Sequence, residues 1–476
     1  MRVLLAAALI GGALISPTPA AAVTIDWQPC RGDFECATLK VPAQRSKPKG
    51  AKFSLALIRH RSTGADPIGS LVFNPGGPGG AGRDSIAWAW EELPDEVKSR
   101  FDLVTWDPRG IGASKPNLSS CLSAPLKLPA TGNVNWSKVA KTFVRDQGKA
   151  NATCQKQRPK VVEQMSTNEN VADLDAIRAA LGEPKLTYWG MSYGTRIGYV
   201  YALTYPDRVR AIVLDGSIDP AATILGLAEG GAGPDQAFGA FTDAYPKARK
   251  QYNDLLTRLS KAPVTLPGKK IFDRWILRDV VFNADAQQAA YPGIAAFLNT
   301  AHAAVFDQDK AAQRRTAQTV SGIENFRLHN GNAGGAFAVT NCRDYSQRPT
   351  VDEALPAIRQ QVSLGPNYGG ILATEFALGC AGLNVTPDPV PLITGRGSNV
   401  PVLILGASRD GSTVNMWTAR MSRAFPKSRT VTYAGGQHVT WGAAGSSCVN
   451  AVADAYVLTG SLPKADVGCP NAVVVE

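Results

Sequence analysis

Leu186-Thr-Tyr-Trp-Gly190-Met-Ser192-Tyr-Gly194-Thr-Arg-Ile-Gly-Tyr-Val-Tyr-Ala-Leu-Thr-Tyr205 is the stretch on which the fold turns. Leu186 to Gly190 is a short apolar run of the kind that fills a buried strand. Tyr193 to Tyr205 continues it directly as an apolar helix. Between them, Gly190-Met191-Ser192-Tyr193-Gly194 sets a serine between two glycines. Residues without a Cβ let the backbone make a tight strand-to-helix turn, which lifts the Ser192 Oγ above the sheet edge. The helix N-terminus behind it favours negative charge developing there.

Working outward, further apolar runs read as strands: Phe53 to His60, Gly69 to Asn74, Asp102 to Asp107, Arg210 to Asp215, Val400 to Gly406 and Ser428 to Tyr433. Helical periodicity lies between some of them. Over Asn170 to Leu181 it puts Val171, Leu174, Ile177 and Leu181 on one face. Strands alternating with helices predict an α/β fold, a mostly parallel sheet covered on both sides by helices. The alternation stops between about Pro220 and Ser398. Helix-like runs dominate there, such as Gln236 to Ser260 and Asp285 to Ala304. The expected organisation is 1–22 signal peptide, 23–220 first part of the sheet domain, 221–398 a mostly helical cap insertion, and 399–476 the second part with a Cys-bearing tail.

A serine nucleophile needs a base, and the chain has four histidines. His302 and His329 fall in the insertion, and His60 ends an early strand. His438 sits in Tyr433-Ala-Gly-Gly-Gln-His438, a glycine-rich loop after a late strand that can bring imidazole over the sheet. Asp410 follows the strand before it and is the acid expected to hold the imidazole; Asp215, at another strand end, is its rival. Acyl transfer also needs donors for an oxyanion. Asn74-Pro-Gly-Gly77-Pro-Gly-Gly80 follows an early strand, and the N–H groups of Gly77 and Tyr193 are the expected pair. No GK[ST] follows that run, so it is not a phosphate-binding loop. Asp107-Pro-Arg109 is expected to brace the floor of the site.

The N-terminus predicts export. Arg2 precedes an apolar run from Val3 to Ile15, and Pro17 and Pro19 lead into Ala20-Ala21-Ala22, with cleavage expected after Ala22. The apolar run is too short to span a membrane, which takes about 20 residues. An exported chain makes its eight cysteines disulfide candidates. Eight cysteines allow 105 pairings. Pairing of sequence neighbours, 30–36, 121–154, 342–380 and 448–469, is favoured because each loop stays within one segment. No CxxC occurs, so no metal site is expected, and no cofactor. The formal net charge is +11 over 476 residues, but the basic residues are scattered, so neither nucleic acid nor a membrane is an expected partner.

The runs NPGGPGG at 74–80, WDPRGIGAS at 106–114, YWGMSYGTRIGYVYALTYPDRV at 188–209, LDGSIDP at 214–220 and SRDGST at 408–413 resemble secreted α/β-hydrolase peptidases of the tripeptidyl aminopeptidase type, relatives of prolyl aminopeptidases. The chain order Ser192, Asp410, His438 is also that of α/β-hydrolases. The resemblance matches those three to nucleophile, acid and base. It implies a cap over the site and an exopeptidase acting on peptide substrates with a free N-terminus. Pro75 stands where prolyl aminopeptidases usually carry His, which disfavours removal of single prolines. Such an enzyme needs a carboxylate to receive the substrate ammonium, and Asp344 and Glu169 are the candidates. Two other readings use the same features: a secreted carboxylesterase or lipase with the same three residues, and a binding protein on the hydrolase fold.

Overall fold

The structure, a computed structural model, describes residues 25–282 and 287–472, the side chains of 325–334 excepted. The expected signal peptide and its cleavage point lie outside the described residues. Twelve strands are described: β1 (Gln28–Arg31), β2 (Phe34–Pro42), β3 (Lys52–His60), β4 (Gly69–Asn74), β5 (Phe101–Asp107), β6 (Leu186–Met191), β7 (Val209–Asp215), β8 (Val264–Leu266), β9 (Lys270–Phe272), β10 (Leu403–Ala407), β11 (Arg429–Tyr433) and β12 (Val467–Cys469). Ten form one sheet in the order β1-β2-β3-β5-β4-β6-β7-β10-β11-β12, while β8 and β9 make a separate small hairpin. From β5 across to β12 the neighbours run parallel, and at the β1 edge they pair antiparallel as far as β5. All six residues of β6 are buried, as a central strand with helices on both faces requires.

The two faces carry separate apolar cores. Leu57, Val104, Tyr188, Ile212 and Ile404 belong to one, and Leu71, Leu103, Trp189, Val213 and Leu405 to the other. Neighbouring residues of one strand thus face opposite layers, which is the period of two that strand pleating imposes.

Between β7 and β10 the chain leaves the sheet. It forms helices at Gly233–Ala244, Pro246–Lys261, Arg274–Phe282, Tyr291–His302, Lys310–Asp344, Val351–Leu364 and Gly369–Leu378. The sequence run Gln236 to Ser260 is two helices, because Pro246 lacks the N–H an uninterrupted helix would need there; it is the first residue of the second. Much of this insertion packs around its own core, including Phe241, Tyr252, Leu255, Phe272, Leu277 and Leu298. Sequence order hides one partner of the insertion. Helix Trp136–Gln157, between β5 and β6, packs Ala140 and Phe143 against Ala354, Ile358 and Ala373. This helix is therefore a second wall of the structure above the sheet.

Four disulfides join Cys30–Cys36, Cys121–Cys154, Cys342–Cys380 and Cys448–Cys469, the sequence neighbours. Cys121–Cys154 anchors helix Trp136–Gln157, and Cys342–Cys380 ties the end of the long helix to the chain leaving Gly369–Leu378. Arg109 braces the floor with a different partner from its sequence neighbour Asp107. Its guanidinium donates to Asp173 at 2.8 and 2.6 Å, whereas Asp107 accepts the N–H groups of Arg83 and Ala113. Among the described residues, no helix is long and apolar enough to cross a membrane.

Candidate active site

Five strand ends meet at one edge of the sheet. Ser192 follows β6 immediately and holds φ 53°, ψ −120°, a positive-φ conformation rare for a side-chain-bearing residue. The flanking glycines are a steric necessity. A Cβ on Gly190 would lie 2.4 Å from the Gly194 carbonyl oxygen, and one on Gly194 would lie 2.7 Å from that of Asn74. The loop after β4 approaches just as closely, since a Cβ on Gly76 would sit 2.8 Å from that of Ser192. The side chain of Asn74 holds this loop by accepting the Gly76 N–H at 3.0 Å.

Asp410 lies three residues beyond β10 and is fully buried. Its carboxylate accepts the N–H groups of Ser412 and Thr413 at 2.7 and 2.8 Å and the Thr413 hydroxyl at 2.8 Å. His438, five residues past β11, places Nδ1 2.9 Å from both Asp410 oxygens. That leaves Nε2 as the nitrogen available to Ser192. Burial works against protonating His438, but the charge of Asp410, its hydrogen bond and the charge of Asp215 outweigh it, so the imidazole pKa is raised.

Ser192 and His438 line one cavity of about 300 Å³ with Gly77, Tyr193, Arg196 and Trp417. Tyr193 begins helix Tyr193–Thr204, so its N–H has no intrahelical acceptor. The Gly77 N–H has no hydrogen-bond partner among the described residues. Both expected donors thus border the cavity with amides uncommitted. The Tyr193 side chain points the other way, its hydroxyl 2.8 Å from that of Thr167. Trp417 Nε1 and Arg196 Nε are buried without a partner among the described residues.

The two carboxylates expected to receive an ammonium are elsewhere, and both expectations are corrected. Asp344 is 1% exposed and does not line the cavity. It accepts the Thr167 N–H at 2.7 Å, the Thr167 hydroxyl at 2.6 Å and Arg196 Nη1 at 3.1 Å, so both oxygens are engaged behind the site. Glu169 pairs with Arg45 at 2.9 Å and Arg109 at 3.5 Å, joining the floor rather than the cavity.

The carboxylate that does face the site region is Glu375, on helix Gly369–Leu378. It lines a second cavity of about 360 Å³, walled by Phe143, Phe337, Leu372 and Phe376. Gly77, Pro78, Phe337 and Phe376 line both cavities, so the two adjoin beside the serine. The Glu375 side chain makes no hydrogen bond or ion pair with any described residue. Burial, and then the charge of Asp279, push its carboxyl up to about 7. A sequence signal existed: Glu375 is the one charged residue in the run Gly369-Gly-Ile-Leu-Ala-Thr-Glu-Phe-Ala-Leu378. Among the described residues, no group of His, Cys, Asp and Glu could hold a metal ion.

Comparison with known proteins adds to this geometry. The family model described as the α/β hydrolase fold matches residues 69–440. The chain is 29% identical to serine protease Hip1 of Mycobacterium tuberculosis, over 97% of this chain and 94% of that protein. It is 29% identical to tripeptidyl aminopeptidase of Streptomyces lividans, over 97% of this chain and 89% of that protein. Similarity to carboxylesterase B of Mycobacterium tuberculosis is 30% but spans only 46% of this chain and 45% of that protein.

Proposed function

This chain belongs to the α/β-hydrolase fold family, and we propose that it is a serine exopeptidase releasing short peptides, tripeptides foremost, from free N-termini. Likeness along nearly the whole chain to a serine protease and a tripeptidyl aminopeptidase supports a serine peptidase. The exopeptidase reading rests on one observation above all. A carboxylate without a partner among the described residues, Glu375, stands in a largely apolar cavity adjoining the one that Ser192 lines.

In this reading the substrate ammonium sits at Glu375 and the scissile carbonyl at Ser192. His438 Nε2 takes the Ser192 proton as Oγ attacks, and Asp410 keeps the imidazole in the tautomer with hydrogen on Nδ1. Negative charge on the carbonyl oxygen is received by the N–H groups of Gly77 and Tyr193. The imidazolium then protonates the leaving amine, and the peptide stays on Ser192 as an ester. Water, deprotonated by His438, hydrolyses that ester and frees the short peptide. The four disulfides support an oxidising, extracellular compartment for the enzyme.

The test compares tripeptide amides with free and acetylated N-termini, and short acyl esters beside them. Free-amine peptides are expected to be cleaved at the third bond and acetylated ones to resist. Equal turnover of both overturns the exopeptidase reading, and a kcat/KM far higher for esters would make the chain an esterase.

A further inference from the structure

We propose that Asp215 is a positioning residue that locks the nucleophile turn to the histidine loop, an inference that rests on reading Ser192 as nucleophile and His438 as base. Asp215 ends β7, between the strand that delivers Ser192 and the one that precedes Asp410. Its two polar ends reach opposite parts of the site. The peptide carbonyl accepts the Ser192 N–H at 2.9 Å. The carboxylate accepts the N–H groups of Thr440, at 2.8 and 3.0 Å, and Trp441, at 2.9 Å, with the Thr440 hydroxyl at 3.1 Å. Those donors begin two residues after His438. The next residue, Gly216, lies against the imidazole, since a Cβ there would meet Cε1 at 3.1 Å. One residue thus fixes the height of the serine turn and the path of the loop that carries the base.

The arrangement is more than filling of the core. Asp215 and Thr440 are 0% and 1% exposed, so a carboxylate is held here at a desolvation cost. Burial raises its pKa to about 6 even against the pull of three hydrogen bonds and His438. A neutral residue could close a core more cheaply; a carboxylate accepts several converging donors at once and adds charge near the imidazole. The charged groups that raise the pKa of His438 are Asp410 and Asp215. Asp410 touches the ring, so it orients the base, and Asp215 acts through the backbone on either side.

Full-length wild type, Asp215→Asn, Thr440→Val and Ser192→Ala proteins decide this, read by fluorophosphonate labelling rate and by kcat and KM per labelled site. Circular dichroism and melting temperature report folding. In Asp215→Asn an amide NH₂ meets converging N–H groups, the loop shifts, and kcat falls about 10–100-fold, the cost of a misplacement near 1 Å. KM should stay within about twofold, because Asp215 touches no substrate in this arrangement. The acidic limb of kcat should move to lower pH, since imidazolium loses a neighbouring negative charge; a purely structural defect would lower the active fraction and leave that limb in place. Thr440→Val keeps the charge and loses one hydrogen bond, so kcat should fall about threefold with the limb unmoved. A folded Asp215→Asn with wild-type kcat and limb overturns the proposal. If Asp215→Asn does not fold, unchanged kcat in Thr440→Val overturns it instead. Labelling of Ser192→Ala as fast as wild type would take down the reading of Ser192 itself, a failure distinct from either.

Discussion

Two carboxylates, one at the sheet edge and one on the helical insertion, show opposite treatments of charge. Asp410, at the sheet edge, receives hydrogen bonds from Ser412, Thr413 and His438 and is buried with them. The Glu375 carboxyl, on the helical side, receives none from any described residue and faces apolar walls. A buried charge is tolerated when its hydrogen bonds are present in advance, and is costly when they are missing. The Asp410 carboxylate is therefore satisfied before substrate arrives. The helical side keeps a carboxyl raised to about 7 that a cation could satisfy. Chemistry built on the rigid sheet and selection built on the insertion is the division this contrast implies.

The largest effects should come from breaking the sheet side. Ser192→Ala is expected to lower kcat by about 10⁶, the scale on which removal of a serine nucleophile is felt. Titration calorimetry with an uncleaved free-amine tripeptide should meanwhile find its affinity within about twofold of wild type. Asp410→Asn should cost about 10⁴ in kcat by favouring the wrong imidazole tautomer. Turnover above a hundredth of wild type in Ser192→Ala would place the chemistry elsewhere.

Breaking the helical side should be milder and selective. Glu375→Gln is expected to lower kcat/KM for free-amine peptides about 10–100-fold, the worth of a hydrogen bond to a charged group. Hydrolysis of acyl esters should be unaffected. The wild type should also lose affinity for free-amine peptides as pH falls through about 7, because protonation removes the charge that holds the ammonium. Glu375→Gln should lack that dependence in KM while retaining the His438 limb in kcat. An ester rate that falls in step with the peptide rate would mean that the substitution damages the site as a whole.

The unequal legibility of the two sides in the sequence has the same origin. Ser192, Asp410 and His438 each follow an apolar strand within a few residues, so local pattern places them at one sheet edge. The glycines around Ser192 were readable for the same reason, since backbone contact at a turn is a local demand. Glu375 was not, because its significance depends on Gly77 and Phe337 lying beside it, far away along the chain. Asp344 and Glu169 misled for the converse reason. A carboxylate looks free in a sequence until its cation is known, and theirs are Arg196, 148 residues away, and Arg45, 124 residues away. Helix Trp136–Gln157 was assigned by chain order to the sheet domain, and its apolar face revealed its partner only when the insertion packed on it.

The smallest expected effect probes the contrast without catalysis. A carboxyl raised from 4.5 to about 7 in the folded protein binds its proton more tightly there than in the unfolded chain. Its contribution to stability is therefore fully present below about pH 4.5 and is lost as pH rises through about 7. The substitution Glu375→Gln mimics the protonated state at every pH. The variant should melt higher than wild type at pH 8, by about 2–5 °C, and at the same temperature at pH 4. A saturating free-amine tripeptide should narrow the gap at pH 8, since the ammonium supplies a partner that Glu375 lacks among the described residues and binding stabilises the folded state. The acetylated peptide should leave the gap as it is. A gap of the same size at pH 4 and pH 8 would show that Glu375 is not an uncompensated charge, and the contrast between the two sides would fall with it.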